Sequence, residues 1–301
     1  MSRNVGTMTE NEADNLINEL DKKAQTLMNE LERSKKYRAG IAALAQRAVE
    51  TNNTAYLDAA ERFTRYIIDE HDTSKAFVDI VRAMGRIASS TSNVELLDRA
   101  LALSLNTNSQ QDRSNSLQGV SVAMAEVGVS DNDTETIEAS KQLAGTIEYD
   151  TYRSSALRGI ARALQNSDNE AGALEMAEGA LDIIDRSLRI EHHIYRSAAY
   201  VDLTVLFLDL GKIDKARQCI ASAQSAAGNL TDEFERSSMF GAIAETLVRM
   251  GARIKDHGLL EAAVQSYNKV TREYYRTSTR RNLTNVLGNV NEIELLRKIQ
   301  A

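Results

Sequence analysis

The sequence predicts an all-α fold: an α-solenoid, a right-handed superhelix of about seven tandem helical hairpins. Three observations predict it. The 301-residue chain has no proline and no tryptophan, so the commonest helix breaker is missing. Ala, Leu, Glu, Arg and Gln are abundant, and all of them favour helix. The third is a repeated unit, visible as an arginine that returns at nearly constant spacing.

That unit sets the order of the elements. "YRSSALRGIARAL" from Tyr152 aligns with "YRSAAYVDLTVLF" from Tyr195, "ERSSMFGAIAETL" from Glu235, "DRSNSLQGVSVAM" from Asp112 and "YRTSTRRNLTNVL" from Tyr275. Arg113, Arg153, Arg196, Arg236 and Arg276 form one column, spaced by 40, 43, 40 and 40 residues. Val120, Ile160, Leu203, Ile243 and Leu283 form a second column, and Met124, Leu164, Phe207, Leu247 and Leu287 a third. The spacing from arginine to these residues keeps them on one helix stripe. Two earlier copies, from Lys35 and Asp72, keep the apolar pattern, with Arg38 and Lys75 off the column.

Each first helix is followed by a polar turn and a second helix. The turns include "SSTSN" at 89–93, "SDND" at 130–133, "NSDN" at 166–169 and "LGKID" at 210–214. Their Ser, Asn and Asp residues stop one helix and N-cap the next. The second helices carry small residues at spacings of 4 and 3, as in Ala173, Ala177 and Ala180, or Ala216, Ile220 and Ala223. Residues 9–34 read as a capping or coiled-coil helix, with Ala13, Ile17, Leu20, Ala24, Leu27 and Leu31 as its seam. Residues 1–8 are expected to be disordered, and residues 35–301 to be the repeat domain.

The arginine column poses an electrostatic problem. A cation in the first turn of a helix faces the positive end of the helix dipole. The column also begins at the core-facing edge of the stripe. The expected answer is structural: each guanidinium brackets successive hairpins by bonding carbonyl ends and acids, while its stem covers apolar surface.

Composition and motifs exclude several function classes. The formal net charge is −7, which argues against polyanion binding by the whole surface. Cys219 is the lone cysteine, so there is no disulfide framework and a reducing compartment is expected. There is no apolar h-region near the start and no long apolar run, so the expectation is a soluble cytoplasmic protein without membrane partners. His71, His192, His193 and His257 form no metal-binding spacing, no phosphate loop occurs, and no nucleophile–base set can be assembled. The reading is a non-enzyme without catalytic, cofactor or metal residues. The one local charge anomaly is at the C-terminus. There Lys269, Arg272, Arg276, Arg280, Arg281, Arg297 and Lys298 outnumber Glu273, Glu292 and Glu294, with Tyr267, Tyr274 and Tyr275 interleaved.

The chain resembles the tetratricopeptide repeat family. Residues 196–228 match best: Leu203, Phe207, Gly211, Ala216, Ile220 and Ala223 follow the family's leucine, aromatic, turn glycine, alanine, bulky residue, alanine. The resemblance spans roughly residues 35–301. The period departs from the family's value of about 34, and the family's tryptophan and terminal proline are absent. Turn glycines are expected only at Gly211 and Gly251. HEAT-like or other helical-pair repeats are within reach of the longer period. The resemblance implies a scaffold that binds a peptide or protein along the inner face of its first helices. By that carry-over the partner-facing residues are Gln118, Val122, Arg158, Arg162, Val201, Val205 and Glu245. The alternative is a nucleic-acid or phosphate-binding adaptor using the basic, tyrosine-containing last repeat.

Overall fold

A computed structural model describes residues 29–187 and 193–300, with residues 15, 18, 19, 22 and 23 upstream. Every regular element among the described residues is an α-helix. They are α1 (Glu30–Thr51), α2 (Ala55–Thr64), α3 (Glu70–Thr91), α4 (Val94–Leu105), α5 (Gln110–Asp131), α6 (Thr134–Gly145) and α7 (Asp150–Gln165). Then come α8 (Glu170–Arg186), α9 (His193–Asp209), α10 (Ile213–Gly228), α11 (Glu233–Ile254), α12 (His257–Tyr267), α13 (Glu273–Asn289) and α14 (Ile293–Gln300). The expected seam residues Ala13, Ile17, Leu20, Ala24 and Leu27, and residues 1–8, lie outside the described residues. Helix α1 opens at Glu30 with Asn29 as its N-cap. The boundary expected between 34 and 35 therefore falls inside a helix.

The chain divides into two compact units, residues 1–167 and 168–301. In the first, α1, α3, α5 and α7 pack side by side in chain order, while α2, α4 and α6 each fill the space between two consecutive first helices. The second repeats the plan. There α9, α11 and α13 lie side by side, α10 and α12 bridge them, α8 packs on α9, and α14 closes on α12 and α13. Each unit is thus a run of helical hairpins around a continuous core. The apolar columns supply that core: Ile80, Val120, Ile160, Leu203, Ile243 and Leu283 are all fully buried. So are Ala173, Ala177 and Ala180 on α8, and Ala216 and Ala223 on α10.

The turns inside the hairpins share one construction. Asn52, Ser92, Asn132, Gly211, Lys255 and Asn291 each take a left-handed conformation just after a first helix, with φ between 52° and 70°. The amide of the next residue reaches back to a carbonyl of the last turn. Asn93 N donates to Ala88 O at 3.2 Å, Lys212 N to Phe207 O at 2.8 Å and Asp256 N to Gly251 O at 2.9 Å. This satisfies carbonyls that the helix end would leave bare. The same next residue then caps the second helix: Asn93 accepts from Leu96 N, Asp133 from Thr136 N, and Asp256 from Leu259 N. Two residues therefore stop one helix and start another.

One glycine departs from expectation. Gly211 is a turn residue, with φ at +70°. Gly251 lies inside α11, where an added Cβ would come within 2.8 Å of Leu260 Cδ2 and 3.0 Å of Asp256 O. Helix α11 runs a full turn further than α9, and Lys255 takes the left-handed position. Gly251 serves the close crossing of α12, not the turn.

Candidate functional site

The arginine column holds the hairpins in order and positions the face beside it. Arg113 Nε donates to Thr107 O at 3.0 Å, Arg236 Nη1 to Leu230 O at 3.2 Å, and Arg276 Nη1 to Val270 O at 3.1 Å. Arg196 donates to Ser187 O. Each acceptor lies at or just beyond the C-terminal end of the preceding second helix. The guanidinium thus sits against the negative end of a neighbouring dipole, which offsets the positive end of its own helix. Arg276 also lies over the Tyr267 ring, 4.7 Å from its centroid. Arg153 differs and pairs with Asp150 in its own first turn.

A serine column follows the arginines, and the sequence reading missed it. Ser34, Ser74, Ser114, Ser154, Ser197 and Ser237 are all buried. Ser34 Oγ accepts from Ile68 N at 3.2 Å, and Ser237 Oγ from both Thr271 N and Arg272 N at 3.2 Å. These hydroxyls take up orphan amides where the next first helix begins. They also fix the register of the two weak copies: Arg33 and Thr73 occupy the arginine column there, ahead of Ser34 and Ser74. Arg38 lies outside the column and pairs with Asp72 at 3.6 Å.

The first helices expose one flank. In the first unit it carries a groove of about 480 Å³ between α1 and α3. Ala42, Ala45, Val49 and Ala83 form its apolar lining, and Gln46, Glu50, Asp79, Arg82 and Arg86 its polar lining. Arg82 donates to Asn115 Oδ1 on α5 at 3.0 Å. Burial lifts the Asp79 carboxyl above the ordinary carboxylate range, against the pull of Arg38 and Arg82. Stepping back 40 residues from Val122 leads to Arg82, and again to Ala42. The signal was therefore present in the periodicity, in copies whose register the arginines did not mark.

The expected partner-facing residues distribute unevenly. Arg162 is exposed near the end of α7. Arg158 is half-buried, and its Nε donates to Ser154 O at 3.3 Å. Gln118 is half-buried on α5. Val122 is committed to packing: a Cβ on Gly159 would stand 2.4 Å from its Cγ2. In the second unit Val205 is 38% exposed, Val201 is half-buried, and Glu245 pairs with Arg249 at 3.6 Å.

The second unit exposes aromatic rings. Phe234 and Tyr275 meet with centroids 5.0 Å apart, and Tyr274 lies 5.2 Å from Tyr275. Tyr274 is 79% exposed. Cys219 is buried between α10 neighbours, and its thiol is pushed up to about 12, chiefly by burial. Among the described residues no three His, Cys, Asp or Glu side chains converge as a metal ion would require. None of the described helices is long and apolar enough to cross a membrane.

No family model and no curated relative matches the chain. Among solved structures it is similar to a circular tandem repeat protein with a novel repeat topology, at 12% identity and a TM-score of 0.39 over 97% of this chain and 87% of that one. It is also similar to Ton1535 from Thermococcus onnurineus NA1, at 14% identity and a TM-score of 0.26 over 92% of this chain and 99% of that one. The repeated columns, hairpins and turns described above decide the class. The chain is a helical-repeat protein. In such a protein neighbouring modules bury one another's apolar flanks.

Proposed function

We propose that this helical-repeat protein is a tetratricopeptide-like, non-enzymatic scaffold of a reducing cytoplasm. It binds a peptide or protein partner along the exposed flank of its first helices. The observation that carries this reading is the groove between α1 and α3, with a floor of small apolar residues and a rim of guanidinium, amide and carboxylate groups. Small floor residues let a segment approach the helix backbones, and the rim fixes its direction. Arg82 and Arg86 stand four residues apart on one helix face, an arrangement suited to an extended or helical segment with an acid.

Affinity capture from the source cell tests the reading, with the wild type beside Arg86→Glu, Arg158→Glu and Val205→Asp. One specific protein is expected on the wild type, with at least tenfold less on Arg86→Glu. Equal capture by all four forms removes the flank from consideration.

A further inference from the structure

We infer that the exposed face of α13, in the last repeat, is a binding site for a short run of single-stranded nucleic acid. It is a separate surface from the α1–α3 groove and does not depend on the scaffold reading. Thr277, Arg280, Arg281, Thr284 and Asn285 line a depression of about 360 Å³ on this face. The lining consists of two guanidinium groups, two hydroxyls and one amide, with no carboxylate among them. The two guanidinium groups, the Thr284 hydroxyl and the Asn285 amide can donate to an incoming acceptor, while the Thr277 hydroxyl already donates to Glu273. Such a lining is complementary to an anion.

Among the described residues no carboxylate forms an ion pair with Arg280 or Arg281. Arg276 and Arg280 stand at i and i+4, where like charges repel. Arg276 is engaged with Val270 O and the Tyr267 ring. Neither Arg280 nor Arg281 has an acid three or four residues away on the helix. Glu273, the acid in the first turn of α13, accepts from Thr277 Oγ1 at 3.0 Å.

The aromatic rings decide between anion classes. Tyr274 lies on the same helix, seven residues before Arg281, which is about 10 Å along the axis. Its ring is 79% exposed and is held edge-on by Tyr275, which in turn rests on Phe234 of α11. A face that served only to solvate the end of the stack would gain nothing from exposed rings. An acidic peptide would engage the guanidinium groups and leave the rings idle. Single-stranded nucleic acid uses both, with bases stacking on Tyr274 and phosphates on Arg280 and Arg281.

Fluorescence anisotropy of the full chain tests this, with fluorescein-labelled oligo-uridine and oligo-thymidine of about twelve nucleotides. Binding is expected at low salt, weakening steeply between about 50 and 200 mM. The Arg280→Gln/Arg281→Gln double variant is expected to bind at least tenfold more weakly, and Tyr274→Ala about fivefold more weakly or worse. Lys36→Gln, exposed on α1 in the other unit and outside both surfaces, is expected to match the wild type. These residues are exposed, and an unchanged circular-dichroism melt verifies that the variants fold. No binding at low salt overturns the inference, as does undiminished binding by either α13 variant. Equally tight binding of a labelled oligo-glutamate peptide, insensitive to Tyr274→Ala, also overturns it by making the face a carboxylate site.

Discussion

The two units use one repeat and finish it differently. In residues 1–167 the position two places before the buried serine is filled by Glu32, Asp72, Asp112 and Tyr152, and the position before that by Leu31, His71, Gln111 and Thr151. In residues 168–301 the first of these positions carries Tyr195, Glu235 and Tyr275, and the one before it Ile194, Phe234 and Tyr274. The first unit therefore offers a polar edge beside an apolar-floored groove. The second offers an aromatic edge beside a basic helix. Beneath both, the buried columns do not change in character: Ile80, Val120 and Ile160 match Leu203, Ile243 and Leu283 in full burial. The lesson is that neighbour-to-neighbour packing constrains the inward positions alone, and the outer edges are free to specialise.

The repeat-to-repeat contacts are the sharpest place to break this comparison. Ser237 in the second unit takes two amides, while Ser34 in the first takes one. Urea denaturation is expected to record a loss of about 1–3 kcal/mol for Ser237→Ala, where two donors lose their acceptor, and about 1 kcal/mol for Ser34→Ala. Equal losses would mean that the hydroxyl bonds do not set the cost.

A smaller effect is expected where first helices approach through glycine. A Cβ at Gly159 meets Val122 Cγ2 at 2.4 Å, and one at Gly241 meets Thr279 Oγ1 at 2.8 Å. Alanine improves helix propensity by up to about 1 kcal/mol, while overpacking costs about 1–3 kcal/mol. The net expectation for Gly159→Ala is a loss of about 1 kcal/mol, because the β-branched Val122 has little rotameric freedom to withdraw. Combining it with Val122→Ala should restore the loss, and thermal unfolding of the single and double variants decides. Gly241→Ala is expected to cost less, since one hydroxyl is the only near obstacle.

The smallest effect is electrostatic. Glu292, at the start of the last hairpin's second helix, accepts from His257 at 3.1 Å and raises its pKa above the ordinary value of about 6.5. A raised histidine contributes stability below its unfolded pKa, and that contribution is lost as pH rises through the folded value. Protection factors of the α14 amides, with the intrinsic base-catalysed rate divided out, are therefore expected to fall as pH rises from about 6 to 8, and His257→Gln should flatten that dependence. His257 is exposed and Glu292 half-buried at the surface, so the change is confined to this last helix.

Much of the architecture was legible because a repeat multiplies weak signals. The arginine column and the apolar columns recur five times in one register, and every polar turn at 89–93, 130–133 and 210–214 ends a helix where it was expected. The serine column went unread because serine near a helix start looks like a cap, and only burial reveals it as a link to the next repeat. Gly251 was misplaced because glycine suits both a turn and a close crossing, and local sequence does not distinguish them. The groove was missed because Arg38 and Lys75 obscured the register of the first two copies.

The sequence alone determined the helices, their pairing and the residues that face inward, because period and polarity follow from backbone geometry and the removal of apolar surface from water. Only the tertiary structure decided which polar atoms meet. An arginine finds a carbonyl six to nine residues back at the end of the preceding helix, a serine finds an amide 34 or 35 residues on, and Tyr274 keeps an open face, because each of these depends on how neighbouring helices are brought alongside.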